Sequence, residues 1–282
     1  MLHALFAAGL WGSTDAFAGI AARRSTPLLA ALWLHISSLA VLLPFIATGS
    51  PISSNAVLYG ALAGITAAIG DVLFGRALSK SAMSVGIPLA NVIAATIPVL
   101  VVVIQGEPLS PLGVLGILGA IAATSLAAAP SNGRLAAEGA GYSTAAGLCF
   151  GIMYALLAQV RADDALIVIF VMRLAGTVVL LPGLLQIEQR SGSLIRSGAL
   201  AGIASGLASV GANALYIVAM TSGGSRIAAS VVAVALSAPA GVLIARLFGR
   251  EHLTLLQGAS AGSAIAAIAV LALREAVQTS IS

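Results

Sequence analysis

Long apolar runs dominate this chain, and each is about the length needed to cross a lipid bilayer. A helix that spans about 30 Å of hydrocarbon needs about 20 apolar residues. Short breaks that hold charged residues or Pro, Gly and Ser separate ten such runs, at residues 2–21, 28–48, 55–76, 85–104, 111–129, 142–160, 165–187, 198–219, 227–247 and 254–273. Continuous runs, such as residues 87–104, predict helices and not the alternating strands of a membrane barrel.

Composition agrees with this pattern. Hydrophobic residues make up 60% of the 282 positions, charged residues make up 8%, and the mean hydropathy is +1.09. That is too little polar surface to cover a water-soluble globule, so the chain is predicted to be an all-α integral membrane protein that crosses the bilayer many times. The first run has no basic region before it, which favours a retained helix over a cleaved signal peptide.

Several chemistries are excluded by residue counts. Cys149 is the only cysteine, and the three histidines are scattered, so neither an intramolecular disulfide nor a zinc motif is expected. The phosphate-binding motif G-x-x-x-x-G-K-[ST] is absent, which argues against ATP as a direct energy source. The net charge of +4 comes from Lys and Arg at the predicted helix ends. We expect no metal, no cofactor and no nucleic-acid partner.

Short strings recur along the chain at one spacing. AAGL occurs at residues 7–10 and 145–148, and GALAGI occurs at 60–65 and 198–203, both 138 positions apart. At the same offset, His35 in the first half aligns with Arg173 in the second half, so both positions hold a basic residue. Similar turns with an acid and a Leu follow the fourth and ninth runs. These matches predict a five-helix repeat at residues 1–130, a connecting loop at 131–141 and a second repeat at 142–282.

The odd number of helices in the unit fixes the relation between the two halves. After five crossings the second copy enters the membrane from the opposite side, which makes the pair an inverted-topology repeat. The predicted fold is therefore ten transmembrane helices arranged as two inverted five-helix repeats. Such halves are characteristic of secondary transporters, in which each half opens and closes one face around a shared midplane site.

The chain resembles the EamA-like members of the drug/metabolite transporter superfamily along its whole length. The residues that carry this resemblance are Trp11 and Gly12, the basic pair His35 and Arg173, the helix prolines Pro98 and Pro239, and the acids Glu107 and Glu251. The chain departs from the family pattern in having His35 where an Arg is usual and Arg250 inside the second acid turn. The resemblance implies an exporter of an amino acid, a related metabolite or a drug, in the bacterial cytoplasmic (inner) membrane.

The distribution of cations predicts an orientation. Connections after the odd-numbered runs carry nine Lys and Arg residues: Arg23, Arg24, Arg76, Lys80, Arg134, Arg190, Arg196, Arg246 and Arg250. The opposite face carries Arg161, Arg226 and Arg274. The positive-inside rule then places the first face in the cytoplasm and both termini outside, whereas the family resemblance implies termini in the cytoplasm.

Charged residues inside the apolar runs are candidates for the functional site. An Asp at the centre of a membrane helix costs roughly 2.5–3.5 kcal/mol, so such residues are few and usually functional. Asp71 is the first choice for binding solute or a proton, because burial disfavours the charged carboxylate. Asp15 is the second, and His35 can pair with either acid. For Arg173, and for an Asp15–His35 contact, a structural role is the alternative.

Neutral polar and aromatic residues supply the rest of the predicted site. The residues expected to bind solute are Asn91, Tyr154, Asn213, Tyr216, Trp11 and Phe74, and the supporting polar residues are Ser84 and Ser230. Asn91 and Asn213 lie in opposite halves, where a shared midplane site would form. For the serines, a hydrogen bond between helices is the alternative, worth about 0.6 kcal/mol on average.

Taken together, these features predict a secondary active transporter that moves a small organic solute by alternating access, with coupling to protons or exchange. The family resemblance implies outward transport. The expected partners are an amine or a zwitterion and membrane lipid, with the chain a monomer or a homodimer. An importer of a quaternary amine and a lipid-linked sugar flippase remain alternatives on the same fold. An intramembrane aspartyl protease is disfavoured, because residues 68–71 read AIGD where that class has Gly-x-Gly-Asp. The chain is not expected to be an enzyme.

Overall fold

A computed structural model describes residues 2–46, 53–106, 135–186, 192–222 and 225–249. All regular structure in these residues is helical. The helices are α1 (Leu2–Arg24), α2 (Pro27–Ile46), α3 (Ser54–Lys80), α4 (Met83–Ile104), α5 (Leu135–Leu157), α6 (Ala165–Leu180), α7 (Gly192–Thr221), α8 (Arg226–Ser230) and α9 (Ser237–Gly249). The predicted runs at 111–129 and 254–273, and the acids Glu107 and Glu251, lie outside the described residues.

Seven helical segments are long and apolar enough to cross a membrane: Pro27–Ile46, Ser54–Lys80, Met83–Ile104, Gly139–Leu157, Ala162–Leu185, Arg196–Thr221 and Val231–Phe248. Large apolar side chains also point outward, and Ile104, Leu185 and Leu200 are 83%, 91% and 82% exposed. Such a surface suits hydrocarbon and not water. The prediction of a helical multi-pass membrane protein is confirmed.

One predicted helix is interrupted. The run at 227–247 was expected to be continuous, but α8 is followed by a π-helical turn, Val231–Ala235, and then by α9. Pro239 has no N–H to donate to the carbonyl of residue 235, four residues earlier, and the π-helical turn ends at that residue. Two residues before this proline, the hydroxyl of Ser237 donates a hydrogen bond to the carbonyl oxygen of Val234 at 2.7 Å.

Helices from the beginning and the end of the chain interleave. α1 packs mainly against α7 and α9, while α3 packs against α5 and α6. α2 contacts α6 and α7, and α4 contacts α5 and α9. Gly60, Gly64, Gly202 and Gly206 allow close approach, because a Cβ on any of them would collide with the neighbouring helix. Small residues at such crossings are the usual basis of packing in membranes.

Contacts at the two ends of the bundle give the chain direction. Arg23 of α1 donates to the carbonyl oxygens of Leu78 and Ser81 at 2.7 Å each, so α1 and α3 end on the same side. At the opposite end, Arg226 donates to the side-chain oxygen of Gln105 at 3.0 Å and to the carbonyl oxygen of Ala158 at 2.8 Å. Gln105 directly follows α4 and Ala158 directly follows α5, so these two helices both end on the opposite side.

Candidate functional site

A small cavity lies among six helices at the centre of the bundle. Its volume is about 30 Å³. The walls are formed by Trp11, Thr14 and Asp15 of α1, Leu34 of α2, Ala67 and Asp71 of α3, Phe150, Met153 and Tyr154 of α5, Arg173 of α6, and Ser209 and Asn213 of α7. Two carboxyl groups and one guanidinium therefore face a single cavity in a mainly apolar bundle.

Asp15 is held by an amide from α4. Asn91 Nδ2 donates to Asp15 Oδ2 at 2.8 Å and to the hydroxyl of Ser237 at 2.9 Å, which uses both amide hydrogens. Asn91 is 2% exposed and does not line the cavity itself. It connects the acid in α1 to the start of α9, directly after the π-helical turn.

Asp71 is paired with His35. His35 Nε2 lies 3.0 Å from Asp71 Oδ2, and the histidine side chain is fully buried while 14% of the aspartate side chain is exposed. The other ring nitrogen, Nδ1, lies 3.3 Å from the carbonyl oxygen of Arg173. The sequence left His35 free to pair with Asp15 or Asp71, and the structure brings it to Asp71.

Arg173 reaches α7 and keeps spare hydrogen-bonding capacity. One terminal nitrogen donates to the hydroxyl of Ser209, and Asn213 Nδ2 donates to the Ser209 carbonyl oxygen at 2.7 Å. Arg173 Nε and Asn213 Oδ1 are buried and have no hydrogen-bond partner among the residues that the structure describes. Buried polar atoms are rarely left unpaired, so this donor and this acceptor mark a place for water or a polar solute.

Three aromatic rings meet beside the acids. The Trp11 ring centroid lies 4.5 Å from that of Tyr154 and 5.1 Å from that of Tyr216, and the two tyrosine rings are 5.7 Å apart. Trp11 and Tyr154 line the cavity, whereas Tyr216 lies behind them and hydrogen-bonds Ser230. Rings at these distances form a packed aromatic wall, which fixes one side of the cavity.

The remaining predicted residues do not line the cavity. Phe74 packs edge-on against Phe150, with ring centroids 5.6 Å apart, and so supports a wall residue. Ser84 is buried near the start of α4, and Ser230 lies 3.3 Å from the sulfur of Met220. Their positions agree with the alternative of contacts between helices.

Sequence reasoning missed six wall residues, namely Thr14, Leu34, Ala67, Phe150, Met153 and Ser209. One signal for Ser209 was available: Asp71 follows His35 by 36 positions, and Ser209 follows Arg173 by the same number. Ser209 also precedes Asn213 by one helical turn. Phe150 and Met153 carried no such signal, because an apolar wall residue looks like any core residue.

Gly176 makes room for the His35 ring, and this gives a testable prediction. A Cβ on Gly176 would lie 2.5 Å from His35 Nδ1 and closer still to the adjacent ring carbon. We expect Gly176→Ala to displace the ring from Asp71 and to lower the thermal unfolding midpoint in detergent. Gly141→Ala is the control, because nothing lies within 4 Å of its Cβ. Equal midpoints for the two variants would contradict this packing.

Comparisons with known proteins support the fold. The sequence matches no protein-family model, and no curated protein matches it significantly. A solved structure, described only as a crystal structure of a protein, has 20% sequence identity and a TM-score of 0.68, over 96% of this chain and 96% of that chain. The likeness shows the fold alone.

Proposed function

We propose that this protein is a secondary active transporter that moves a small organic solute across the membrane by alternating access. The observation that carries this proposal is the central cavity, in which Asp15, Asp71 and Arg173 meet. Ionisable groups in the membrane interior are costly and usually mark a solute or ion pathway. Three of the wall helices, α1 to α3, come from the first half of the chain and three, α5 to α7, from the second.

The unpaired atoms suggest the class of solute. The free Nε–H of Arg173 suits a carboxylate, which an arginine binds by charge and by hydrogen bonds. The carboxylates and Asn213 Oδ1 suit an ammonium group, because each of them accepts hydrogen bonds. A zwitterion such as an amino acid satisfies both sets, and a simple amine satisfies the second.

The size of the cavity fits a closed conformation. A volume of about 30 Å³ holds roughly two water molecules, at 10–15 Å³ for each. An amino acid needs a larger space, so the walls must separate for loading and release. Solute binding is then coupled to helix movement, which alternating access requires.

Matching contacts in the two halves support an inverted repeat. The glycine contacts are Gly60 with Val168 and Val171, Gly64 with Met172 and Ala175, Gly202 with Ala30 and Trp33, and Gly206 with Leu34 and Ser37. The contacted residues on α2 and α6 are related by the offset of 138 found in the repeated strings. The glycines themselves lie 142 positions apart, so α3 and α7 correspond with a shift of about one helical turn.

The family resemblance and the charge distribution in the sequence support a more detailed proposal for family, direction of transport and membrane. We propose a ten-helix member of the EamA-like drug/metabolite transporters, acting as an exporter in the bacterial inner membrane. The excess of cations on one face favours termini outside the cytoplasm. A reporter fused to either terminus tests this orientation, and activity of a cytoplasm-specific reporter at both ends would reverse it.

The aromatic wall favours a second candidate, import of a quaternary amine. Trp11 and Tyr154 lie in the same cavity as two carboxylates, and aromatic faces bind such cations. The rings pack against one another at 4.5 Å, so a cation contacts only their outer faces. This arrangement supports amine binding less directly than a cage around the ligand.

An uptake screen with purified protein in liposomes tests the proposal. The solutes are the 20 amino acids, simple amines and choline, each with and without a pH gradient. We expect uptake of at least one solute, and we expect Asp15→Asn and Asn213→Leu to reduce it, because both remove acceptors at the cavity. Asp163→Asn is the control, since Asp163 is 84% exposed and pairs with Arg161 at the surface. Uptake equal to that of protein-free liposomes for every solute would reject the proposal.

A further inference from the structure

The ring of His35 is held between two oxygen atoms that impose different roles on its nitrogens. Nδ1 lies 3.3 Å from the carbonyl oxygen of Arg173, and Nε2 lies 3.0 Å from Asp71 Oδ2. A carbonyl oxygen only accepts hydrogen bonds, so Nδ1 carries a hydrogen and donates it. Nε2 is therefore the ring atom that gains or loses a proton, and it faces a carboxyl group.

A hydrogen bond between Nε2 and Oδ2 requires one proton between them. That proton makes either an imidazolium beside a carboxylate or a neutral imidazole beside a carboxylic acid, and both forms have zero net charge. Without it, two lone pairs face each other and the contact loses its hydrogen bond. We propose that the His35–Asp71 pair is the binding site of the single proton that this protein couples to solute movement, which rests on the function proposed above.

The surrounding charges favour a neutral pair. Arg173 from α6 and Asp15 from α1 line the same cavity as Asp71, with Tyr154 on α5. Cys149 on α5 lies beside Gly70, the residue before Asp71, and α7 contributes only neutral polar groups to the described walls. With Asp15 and Arg173 both ionised and one proton on the pair, the charges around the cavity sum to zero, the least costly state in a low-dielectric interior.

The second half of the chain has a counterpart that cannot release a proton. Arg173 bonds Ser209 across the same 36-residue separation that joins His35 to Asp71. A guanidinium keeps its charge at every accessible pH, and a serine hydroxyl does not titrate there. The first half of the site therefore holds a pair that binds a proton, and the equivalent place in the second half holds a fixed cation. Protonation changes the charge of the first half only.

Loss of the proton breaks the hydrogen bond between His35 on α2 and Asp71 on α3. Asp71 lines the cavity. The proton passes from Nε2 or Oδ2 to a water molecule in that cavity, and the electron pair of the broken bond stays on the nitrogen or oxygen atom. The products are a neutral His35 that still donates through Nδ1 and an ionised Asp71. Because Nε2 and Oδ2 then repel, Asp71 turns toward the cavity, where its charge is available to an ammonium group of the solute.

Nitrogen NMR of protein labelled with ¹⁵N at its three histidines tests the site without any solute. His35→Asn identifies the His35 signals. In the wild-type protein we expect Nδ1 to remain protonated at every pH and Nε2 alone to change. A His35 ring with unprotonated Nδ1 would overturn the proposal.

The same spectra of two variants test the shared proton. In Asp71→Asn the amide can donate to Nε2, so we expect the pH transition of His35 to disappear or to move. Asp163→Asn, a surface change, should leave the transition as in the wild type. If Asp71→Asn does not fold, Asp71→Glu replaces it, with a transition kept but moved. A transition unaffected by the substitution at position 71 would overturn the proposal.

A transport measurement separates this proposal from the function itself. Liposomes loaded with a pH-sensitive dye and containing the protein receive an equimolar mixture of the 20 amino acids. We expect proton movement together with uptake of labelled amino acid in the wild type and in Asp163→Asn, and no proton movement above protein-free liposomes with Asp71→Asn. Amino-acid movement without proton movement in the wild type overturns the proton site and leaves the transport function standing. If neither protons nor amino acids move, the result contradicts transport of amino acids. The NMR result then decides the proton site by itself.

Discussion

Arg173→Ala is expected to cause the largest loss of folded protein among substitutions at the cavity. Arg173 is 2% exposed and is the only guanidinium in the described cavity wall, which it shares with Asp15 and Asp71. Removing it leaves two carboxyl groups without a fixed cation and removes one of the two donors to the Ser209 hydroxyl, the other being Asn213 Nδ2. Breaking a buried charged set in this way costs about 3–5 kcal/mol. The measurement is the monodisperse fraction and the thermal unfolding midpoint in detergent.

Three further variants make this test specific. Arg173→Lys keeps the charge but not the planar fork, so an intermediate midpoint is expected. Asp71→Asn combined with Arg173→Ala removes one of the two acids and should recover part of the loss. Arg161→Ala is the control, because its ion pair with Asp163 is exposed and such pairs contribute about 0–1 kcal/mol. Equal midpoints for Arg173→Ala and Arg161→Ala would refute a role for Arg173 in balancing the cavity charges.

Gly206→Leu is expected to separate α7 from α2. A Cβ at Gly206 would collide with the carbonyl oxygen of Leu34 and with the hydroxyl of Ser37. Ser38 on the same helix also donates to the Gly206 carbonyl oxygen at 2.9 Å, a bond that needs the helices close. Overpacking costs about 1–3 kcal/mol or more, so the unfolding midpoint should fall by roughly 5–10 °C.

Gly9→Leu is the matched control for this substitution. Gly9 lies in α1, is exposed, and has nothing within 4 Å of a Cβ. A leucine there faces lipid and replaces a poor helix former, so the midpoint should stay the same or rise slightly. If Gly206→Leu behaves like Gly9→Leu, the close packing of α2 on α7 is refuted.

Helix locations followed directly from the sequence, and helix interruptions did not. Apolar runs of about 20 residues predict helices reliably because an unpaired backbone group in hydrocarbon costs several kcal/mol. The π-helical turn at Val231–Ala235 was missed, although Pro239 was known to lie in that run. A proline removes one donor, but the surrounding packing decides whether the helix kinks, breaks or adopts a π-turn.

Half of the twelve residues that line the cavity were also predicted from the sequence. Asp15, Asp71 and Arg173 stood out because ionisable residues are rare in membrane helices. Their pairing was not visible, since His35 was compatible with either acid by its depth in the membrane. The choice of Asp71 depends on how α2 and α3 cross, with Gly176 leaving space for the ring. Asn91 was expected to bind solute, which stays a prediction, and the structure adds that its side chain donates a hydrogen bond to Asp15.

The sequence alone therefore determined that this protein is a helical membrane protein, where most of its crossings lie and which buried polar residues had to be accounted for. These properties depend on the cost of exposing charges and backbone to hydrocarbon, which each segment meets by itself. Tertiary structure decided which partners those residues have, and thereby formed one cavity between two carboxyl groups and a guanidinium. The choice of partner depends on how helices that are far apart in the chain rotate and cross. Packing of whole helix surfaces determines that rotation and crossing, and local composition does not.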